Sequence, residues 1–319
     1  MDKSSAAFEI IDSVLSQTGN SLSVALMCRC AGVSRSGFYA WKKAAAVRAS
    51  QEEQDAQDFA LILEAYKSRG YTKGARGIAM CLLHRDPPVI MNLKKIRRLM
   101  GKYKLHCPIR RANPYRRMAK AMKTDRYTAN ILDRQFECYG PKMVLLTDIT
   151  YIPYHGKFAY LSTILDAFTK QVLSYTLSES LEIDFVLETV RNLLREHGAT
   201  LKTQTLIHSD QGCHYTSSKF IEIVENSSLR RSMSRRGNCW DNAPQESFFG
   251  HMKDSINLCS CISFSQVKDT VDDYMSYYNN ERYQWELSKL SPNEYYGFVT
   301  TGVYPLAVKN PPVVKTFRT

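Results

Sequence analysis

Residues 144–152 read VLLTDITYI and residues 205–210 read TLIHSD. Each run is short, apolar and rich in β-branched side chains, and each carries one aspartate, so both predict buried β-strands. Three more strands are predicted in the same region, at KFAYLSTILDAF (157–168), VLSYTLSE (172–179) and RRSMSR (230–235). The first two of these lie close enough in the chain to be antiparallel neighbours.

Amphipathic patterns predict the helices of the same region. They cover EIDFVLETVRNLLREHG (182–198), SSKFIEIVENS (217–227) and DNAPQESFFGHMKDSIN (241–257). Three strands in a meander, followed by alternating helices and strands, predict an α/β sheet.

Three carboxylates stand out by their positions in these elements. Asp148 lies inside an apolar strand, where an unpaired carboxylate is costly to bury. Asp210 closes its strand at the carboxyl end, where open α/β sheets bind ligands. Glu246 lies one turn into a helix that Asn242 can cap, with Gln245 completing a capping-box pattern. If the three converge on one cleft, they suit a hard divalent cation such as magnesium, which prefers oxygen ligands.

Structural roles also explain acidic residues at such positions. Asp and Glu make up 31 of the 319 residues, so a pair at any chosen spacing is unsurprising. Single carboxylates more often cap helices or form ion pairs. Thirty-five residues separate Asp210 from Glu246, and Lys253 follows Glu246 by two helical turns on the same face. This spacing therefore counts only together with the sequence around it.

The neighbouring histidines and cysteines give weaker signals. His208 and His214 flank Asp210, and a hydrogen-bonding or DNA-facing role is favoured over metal binding. Cys213 and Cys239 have no base placed beside them, so neither is assigned as a nucleophile.

The N-terminal third is helical. Residues 21–43, SLSVALMCRCAGVSRSGFYAWKK, predict a helix, a turn at Gly32 and a second helix, with Leu26 on the inner face of the first and Phe38 on that of the second. This is the helix-turn-helix pattern of DNA-binding proteins, although a plain helical hairpin with solvated lysines is an open alternative. A second such unit is predicted from ARGIAMCLLHR (75–85) and NLKKIRRLMGKYKL (92–105).

Positive charge is concentrated in the last of these helices and in the residues that follow it. Between Lys94 and Arg126 there are thirteen Lys or Arg residues and one acid, Asp125. Such a window favours phosphate contacts over a merely solvated face, because each neutralised phosphate releases counterions. The predicted DNA contacts are Arg35, Lys42, Lys43, Lys94, Lys95, Arg97, Arg98, Arg110, Arg111, Arg116, Arg117, Arg235 and Arg236.

The overall composition agrees with a polyanionic partner. The formal net charge is +12, from 43 Lys and Arg against 31 Asp and Glu. A transmembrane helix is not expected, because no apolar run approaches the ~20 residues that one needs. The acidic start MDKSSAAFEI does not suggest a signal peptide, and the nine cysteines indicate neither a disulfide framework nor a zinc site. A reduced cytoplasmic protein is therefore expected.

Longer stretches carry a family resemblance. Three stretches resemble the DDE transposases of the retroviral-integrase superfamily: LLTDITYI (145–152), LIHSDQGCHYTS (206–217) and RRGNCWDNAPQESFFGHMK (235–253). More narrowly, the chain resembles the second-reading-frame (orfB) transposases of bacterial insertion sequences of the IS-three group. GFYAWKK (37–43) and RGYTKGARGIAMCLL (69–83) match that group's N-terminal helical units, and residues 271–296 match its C-terminal tail.

The resemblance implies a ribonuclease H-like α/β integrase core, a mixed five-stranded sheet with flanking helices, preceded by all-α helix-turn-helix units. In that core Asp148, Asp210 and Glu246 would be catalytic and hold two Mg²⁺ ions, for which Mn²⁺ would substitute. They would catalyse DNA cleavage and then strand transfer, in which a 3′-hydroxyl attacks a phosphodiester. Lys253 would contact DNA near the active site.

The resemblance also implies partners. These are duplex DNA, as terminal repeats and as target, a homo-oligomer in a synaptic complex, and an upstream-frame partner or fusion that supplies a coiled coil and a helix-turn-helix. A nucleoid-associated location in a bacterial cytoplasm would follow.

Five segments are predicted along the chain. They are a helix-turn-helix-like unit (1–48), a second helical DNA-binding unit (49–107), a basic linker (108–138), the catalytic core (139–262), and a C-terminal helical extension and tail (263–319). Two other functions stay open, a DNA-binding regulator with an idle core and a ribonuclease H-like nuclease acting on RNA–DNA hybrids. An intact acidic triad argues against the first, and the helical units with their basic linker argue against the second.

Overall fold

The computed structural model describes residues 3–70, 73–108, 139–227, 229–234 and 243–314. Within these ranges six α-helices precede the sheet: α1 (Lys3–Leu15), α2 (Val24–Cys30), α3 (Arg35–Lys43), α4 (Ala45–Lys67), α5 (Ala75–Leu83) and α6 (Leu93–Lys102). Strands β1 (Val144–Tyr154), β2 (Lys157–Asp166) and β3 (Val172–Ser178) follow. The remaining elements are α7 (Asp184–His197), β4 (Leu206–Ser209), α8 (Ser218–Asn226), β5 (Arg230–Met233), α9 (Ala243–Ser255), α10 (Phe264–Asn280) and α11 (Pro292–Thr301).

The five strands form one mixed sheet in the order β3-β2-β1-β4-β5. The meander β1-β2-β3 is antiparallel, whereas β4 runs parallel to β1 and β5 runs parallel to β4. Parallel pairing requires crossover connections, and α7 and α8 provide them. The predicted five-stranded mixed sheet with flanking helices is confirmed.

Both faces of the sheet are covered, because side chains alternate between them along each strand. On one face, Leu145 and Ile164 pack with Phe185, Val190 and Phe220 of α7 and α8. The opposite face supports α9 and α10. Its fully buried residues include Ile152, Leu161, Phe248, Met252 and Tyr274. The tyrosine-rich helix α10 therefore contributes to the core, as its sequence indicates.

The first helical unit, α1 to α3, has its own small core of Phe8, Ile11, Cys28 and Phe38. The prediction that Leu26 faces inward is wrong, since its side chain is 42% exposed. Cys28 is 1% exposed instead, because it lies two residues further round the short helix α2 and meets α1 and α3. The predicted boundary between the first two segments, at residues 48 and 49, lies near the start of α4, a continuous helix of 23 residues. The division of the chain into five segments stays a prediction.

The second helical unit, α4 to α6, packs around Ile62, Ile78, Leu82, Ile96 and Leu99. It also contacts the C-terminal extension. Arg69 pairs with Asp273 at 3.4 Å and with Glu281 at 3.1 Å. The His84 ring stacks on Tyr283 with centroids 3.5 Å apart, and its Nε2 lies 3.2 Å from an oxygen of Glu294. Stacked rings and ion pairs thus hold the second helical unit against α10, α11 and the loop between them.

No helix within these described ranges is both long and apolar enough to cross a membrane.

Candidate active site

Asp148 lies in β1, the central strand of the sheet. Its Oδ1 accepts a hydrogen bond from the backbone N–H of Ile149 at 2.8 Å. Burial, together with the negative charges of Asp210 and Glu246, raises the pKa of Asp148 to about 7, while the Ile149 N–H and the Lys253 ammonium oppose the rise. The Asp148 carboxylate therefore lies within electrostatic reach of the other two acids and of Lys253.

Asp210 follows the last residue of β4. In the parallel pairing, Leu146 of β1 lies beside His208 of β4, so two residues further along each strand bring Asp148 and Asp210 to the same edge. Asp210 Oδ1 accepts the backbone N–H of Gly212 at 2.9 Å. A Cβ at Gly212 would lie 2.9 Å from that oxygen, so only glycine leaves the carboxylate in this position.

Glu246 lies in the first turn of α9, and Lys253 lies in its last turn. Both side chains are exposed, seven residues apart on one face of the helix. Partial burial lowers the pKa of the Lys253 ammonium, and the Asp148 charge opposes this shift. One face of α9 therefore carries an acid and a cation toward the edge of the sheet where Asp148 and Asp210 lie.

Gln245 does not make the predicted capping box. Its side chain is fully buried, and its amide Nε2 donates to Oγ1 of Thr163 on β2. The sheet competes successfully for this amide, because α9 packs directly on β1 and β2. Asn242, the other member of the expected box, lies outside the described residues.

A buried tyrosine and two histidines make hydrogen bonds near the two aspartates. Tyr215 is 2% exposed, and its Oη lies 3.5 Å from Oγ1 of Thr147, the residue before Asp148. The fully buried His208 bonds through Nδ1 to Ser232 of β5 at 3.0 Å. His214 Nε2 lies 2.6 Å from the carbonyl oxygen of Leu181. Both histidines make hydrogen bonds, in agreement with the role favoured by the sequence, whereas nothing in the sequence indicates Tyr215.

The chemistry of the acidic residues fits a divalent cation. Three carboxylates supply only oxygen donors, and a cation would neutralise the repulsion that raises the pKa of Asp148. In the described part of the chain, however, no three His, Cys, Asp or Glu side chains are close enough together to hold a metal ion as they stand. The three acids are thus electrostatic neighbours that have to move closer together to share an ion.

Several of the predicted DNA-contacting cations are engaged within the protein. Asp55 of α4 is 2% exposed and accepts two hydrogen bonds from Arg98, both at 2.7 Å, and one from Lys102 at 2.8 Å. These bonds hold the pKa of the Asp55 carboxyl well below its usual range. Lys95 pairs with Asp58 in the same way. The inner cations of α6 therefore attach this helix to α4.

Other predicted contacts point to solvent. Lys94 and Arg97 are exposed on the outer face of α6, and Arg35 and Lys43 are exposed on α3. Lys42 differs, since it forms an exposed ion pair with Asp12 at 2.9 Å. The contacts expected at Arg110, Arg111, Arg116, Arg117, Arg235 and Arg236 lie outside the described residues.

Known proteins resemble both parts of this chain. Residues 138–239 and 246–297 match family models described as an integrase core domain, and residues 52–113 match an HTH-like domain. The putative transposase InsK for insertion sequence element IS150 of Escherichia coli is 34% identical over 274 residues, which cover 84% of this chain and 92% of InsK. The chain belongs to the insertion-sequence transposases.

Further relatives narrow the group. The transposase InsF for insertion sequence IS3A of E. coli is 26% identical over 278 residues, 86% of this transposase and 93% of InsF. Among solved structures, the HTLV-2 integrase catalytic core domain in complex with magnesium aligns with a TM-score of 0.38 and 16% identity, over 49% of this chain and 97% of that one. The integrase-core matches and the transposase relatives together show a DDE-type transposase of the IS-three group, so the predicted family and integrase core are confirmed. The HTH-like match lies on residues 52–113, in the second helical unit, and the helix-turn-helix-like unit of residues 1–48 stays a prediction. The individual site residues stay a prediction.

Proposed function

We propose that this transposase cuts DNA at the ends of an insertion sequence and joins them to a target, with Asp148, Asp210 and Glu246 as ligands of two divalent metal ions. One observation carries the proposal. The sheet register brings Asp148 and Asp210 to one edge, and the charges of Asp210 and Glu246 both raise the pKa of the Asp148 carboxyl.

Two bound Mg²⁺ ions, or Mn²⁺ in their place, would stabilise the attacking and leaving oxygens of an in-line phosphoryl transfer. The chain's part is to present carboxylates that carry charge. Asp148 must lose its proton to act as a ligand, and a nearby cation favours that loss. Asp210 and Glu246 are exposed, so a bulky duplex can reach them. Lys253 lies near Asp148 on the same side and suits a phosphate of the DNA strand that is cut.

The DNA path follows from the exposed cations. Lys94 and Arg97 on α6, with Arg35 and Lys43 on α3, have no acidic partner among the described residues and suit phosphate contacts, which position DNA without reading its sequence. Element ends and target would bind across the two helical units and the core. The same proposal includes the five-segment division of the chain and a homo-oligomeric synaptic complex. It also includes an upstream-frame partner and association with the nucleoid.

The test uses purified transposase, labelled terminal-repeat DNA and Mg²⁺. We expect Asp148→Asn, Asp210→Asn and Glu246→Gln each to abolish cleavage and joining, by orders of magnitude, while DNA affinity stays nearly unchanged. Asp254→Asn, an exposed acid one residue beyond Lys253, is the matched control and should keep wild-type rates. Wild-type strand transfer in any of the three variants would refute the assignment. Cleavage of RNA–DNA hybrids alone would favour a nuclease.

A further inference from the structure

A buried hydrogen bond links helix α9, which carries Glu246, to the strand that pairs with β1, which carries Asp148. Gln245, the residue immediately before Glu246, donates from its amide to Thr163 of β2. In the antiparallel pairing of β1 with β2, Thr163 is the direct partner of Asp148. Both Gln245 and Thr163 are fully buried. The bond therefore joins the helix that carries Glu246 to the position opposite Asp148.

The face of α9 that packs on the sheet is otherwise apolar in the described part of the chain. Phe248, Phe249 and Met252 lie three, four and seven residues after Gln245, so all four share the face that packs on the sheet. Apolar packing resists separation of the helix from the sheet, but it is non-directional and constrains rotation about the helix axis less than a hydrogen bond does. The Gln245 bond is a directional contact at the end of α9 that bears Glu246.

Small rotations of α9 about its axis change the position of the Glu246 carboxylate. A helix with side chains has a radius of roughly 5–6 Å, so a turn of roughly 10° moves a side-chain tip by about 1 Å. A misplacement of about 1 Å can cost a reaction about 100-fold. We propose that Gln245 and Thr163 are positioning residues that fix the rotation of α9 and so hold Glu246 in register with Asp148. This inference rests on the proposed function of the three acids.

Stability and positioning can be separated at this pair. The Oε1 of Gln245 is buried with no hydrogen-bond partner in the described part of the chain. An unpaired buried acceptor offsets much of what one hydrogen bond contributes, and removing both polar partners together is nearly neutral for stability. Gln171 offers the matched control. It is also buried, but it donates to Asn293 at 2.8 Å and accepts from Thr169 at 3.1 Å, away from the three acids.

The experiment compares Gln245→Met, Thr163→Val, Thr163→Ser and Gln171→Met in the full chain. Mn²⁺ binding is measured by electron paramagnetic resonance, alongside DNA affinity in Ca²⁺, single-turnover cleavage and thermal unfolding. We expect Gln245→Met and Thr163→Val each to weaken Mn²⁺ binding about tenfold and to slow cleavage about 10- to 100-fold, with DNA affinity unchanged. Combining the two changes should add little to either. Thr163→Ser keeps the hydroxyl and should restore both readouts.

Gln171→Met should lower the unfolding temperature at least as much, yet leave Mn²⁺ affinity unchanged. The positioning role would be overturned if Gln245→Met and Thr163→Val left the Mn²⁺ affinity unaltered. It would also be overturned if Gln171→Met weakened Mn²⁺ binding as much as they do. Failure of the proposed function looks different. In that case the wild-type chain shows no Mn²⁺ site that Asp148→Asn removes.

Discussion

The charge on Asp148 should make the transposase less stable as the pH rises, unless a metal ion is present. Burial and two neighbouring carboxylates raise the pKa of Asp148 from 3.8 to about 7. At about 1.4 kcal/mol per pH unit, this corresponds to about 4 kcal/mol. The folded chain holds this proton more tightly than the unfolded chain, so the free energy of unfolding falls as the pH rises from about 4 to about 7. Above pH 7 the full penalty is present, and below pH 4 it is absent.

Asp148→Asn removes the titrating group with little change of shape. Denaturant unfolding in EDTA should therefore give similar stabilities for the two proteins near pH 4. Near pH 8 the variant should be more stable, by up to about 4 kcal/mol. Adding Mg²⁺ at pH 8 should stabilise the wild-type chain and leave the variant almost unaffected. Parallel stability curves for the two proteins across this pH range would refute the reasoning, because Asp148 would then titrate as it does in the unfolded chain.

Three other outcomes follow from the structure. Asp55→Asn should destabilise the second helical unit by about 1.5–3 kcal/mol, because it removes the charge-assisted bonds to Arg98 and Lys102. Since the pKa of Asp55 is lowered in the folded chain, this contribution should be complete above about pH 4 and should be lost progressively as the pH falls from there through the lowered pKa, which unfolding of both proteins at several pH values checks. Lys94→Glu and Arg97→Glu should each weaken binding to all duplexes and reduce the slope of log K against the logarithm of salt concentration, by about 0.9 for each phosphate that the variant no longer neutralises. Arg98→Ala should mainly reduce stability. Salt titrations with equal slopes for all three variants would contradict this. The isolated chain should discriminate poorly between terminal repeat and scrambled duplex, since nonspecific phosphate binding, with a Kd of ~10⁻⁴ to 10⁻⁶ M, supplies most of its affinity. A strong preference for the repeat in competition binding would contradict this and place end recognition in residues 20–105.

Local patterns in the sequence were sufficient to predict the elements of the core. Apolar β-branched runs predict β1 and β4, because buried strands need such side chains on both faces. The tyrosines of α10 likewise recur on one face, where they pack under the sheet. The same patterns do not give the order of the strands. It is the parallel pairing of Leu146 with His208 that brings Asp148 beside Asp210.

Contacts between distant residues explain the differences. Arg98 appears in the sequence as one of thirteen cations in a basic window, yet its partner Asp55 lies 43 residues earlier and is buried. Gln245 suits a capping box by spacing, but its amide meets Thr163, 82 residues away. In both cases burial places a polar group next to a partner that no local pattern indicates, and a buried polar group takes the partner that packing supplies.

A change of metal ion tests most directly whether the three acids bind the ions that drive strand transfer. Asp148→Cys and Asp210→Cys exchange a hard oxygen ligand for a softer thiolate, which accepts Mn²⁺ more readily than Mg²⁺. We expect both variants to be inactive on terminal-repeat DNA in Mg²⁺ and to regain strand transfer in Mn²⁺, while the control Asp254→Cys is active in both metals. Equal activity of Asp148→Cys and Asp210→Cys in Mg²⁺ and Mn²⁺ would contradict a role of these carboxylates as metal ligands.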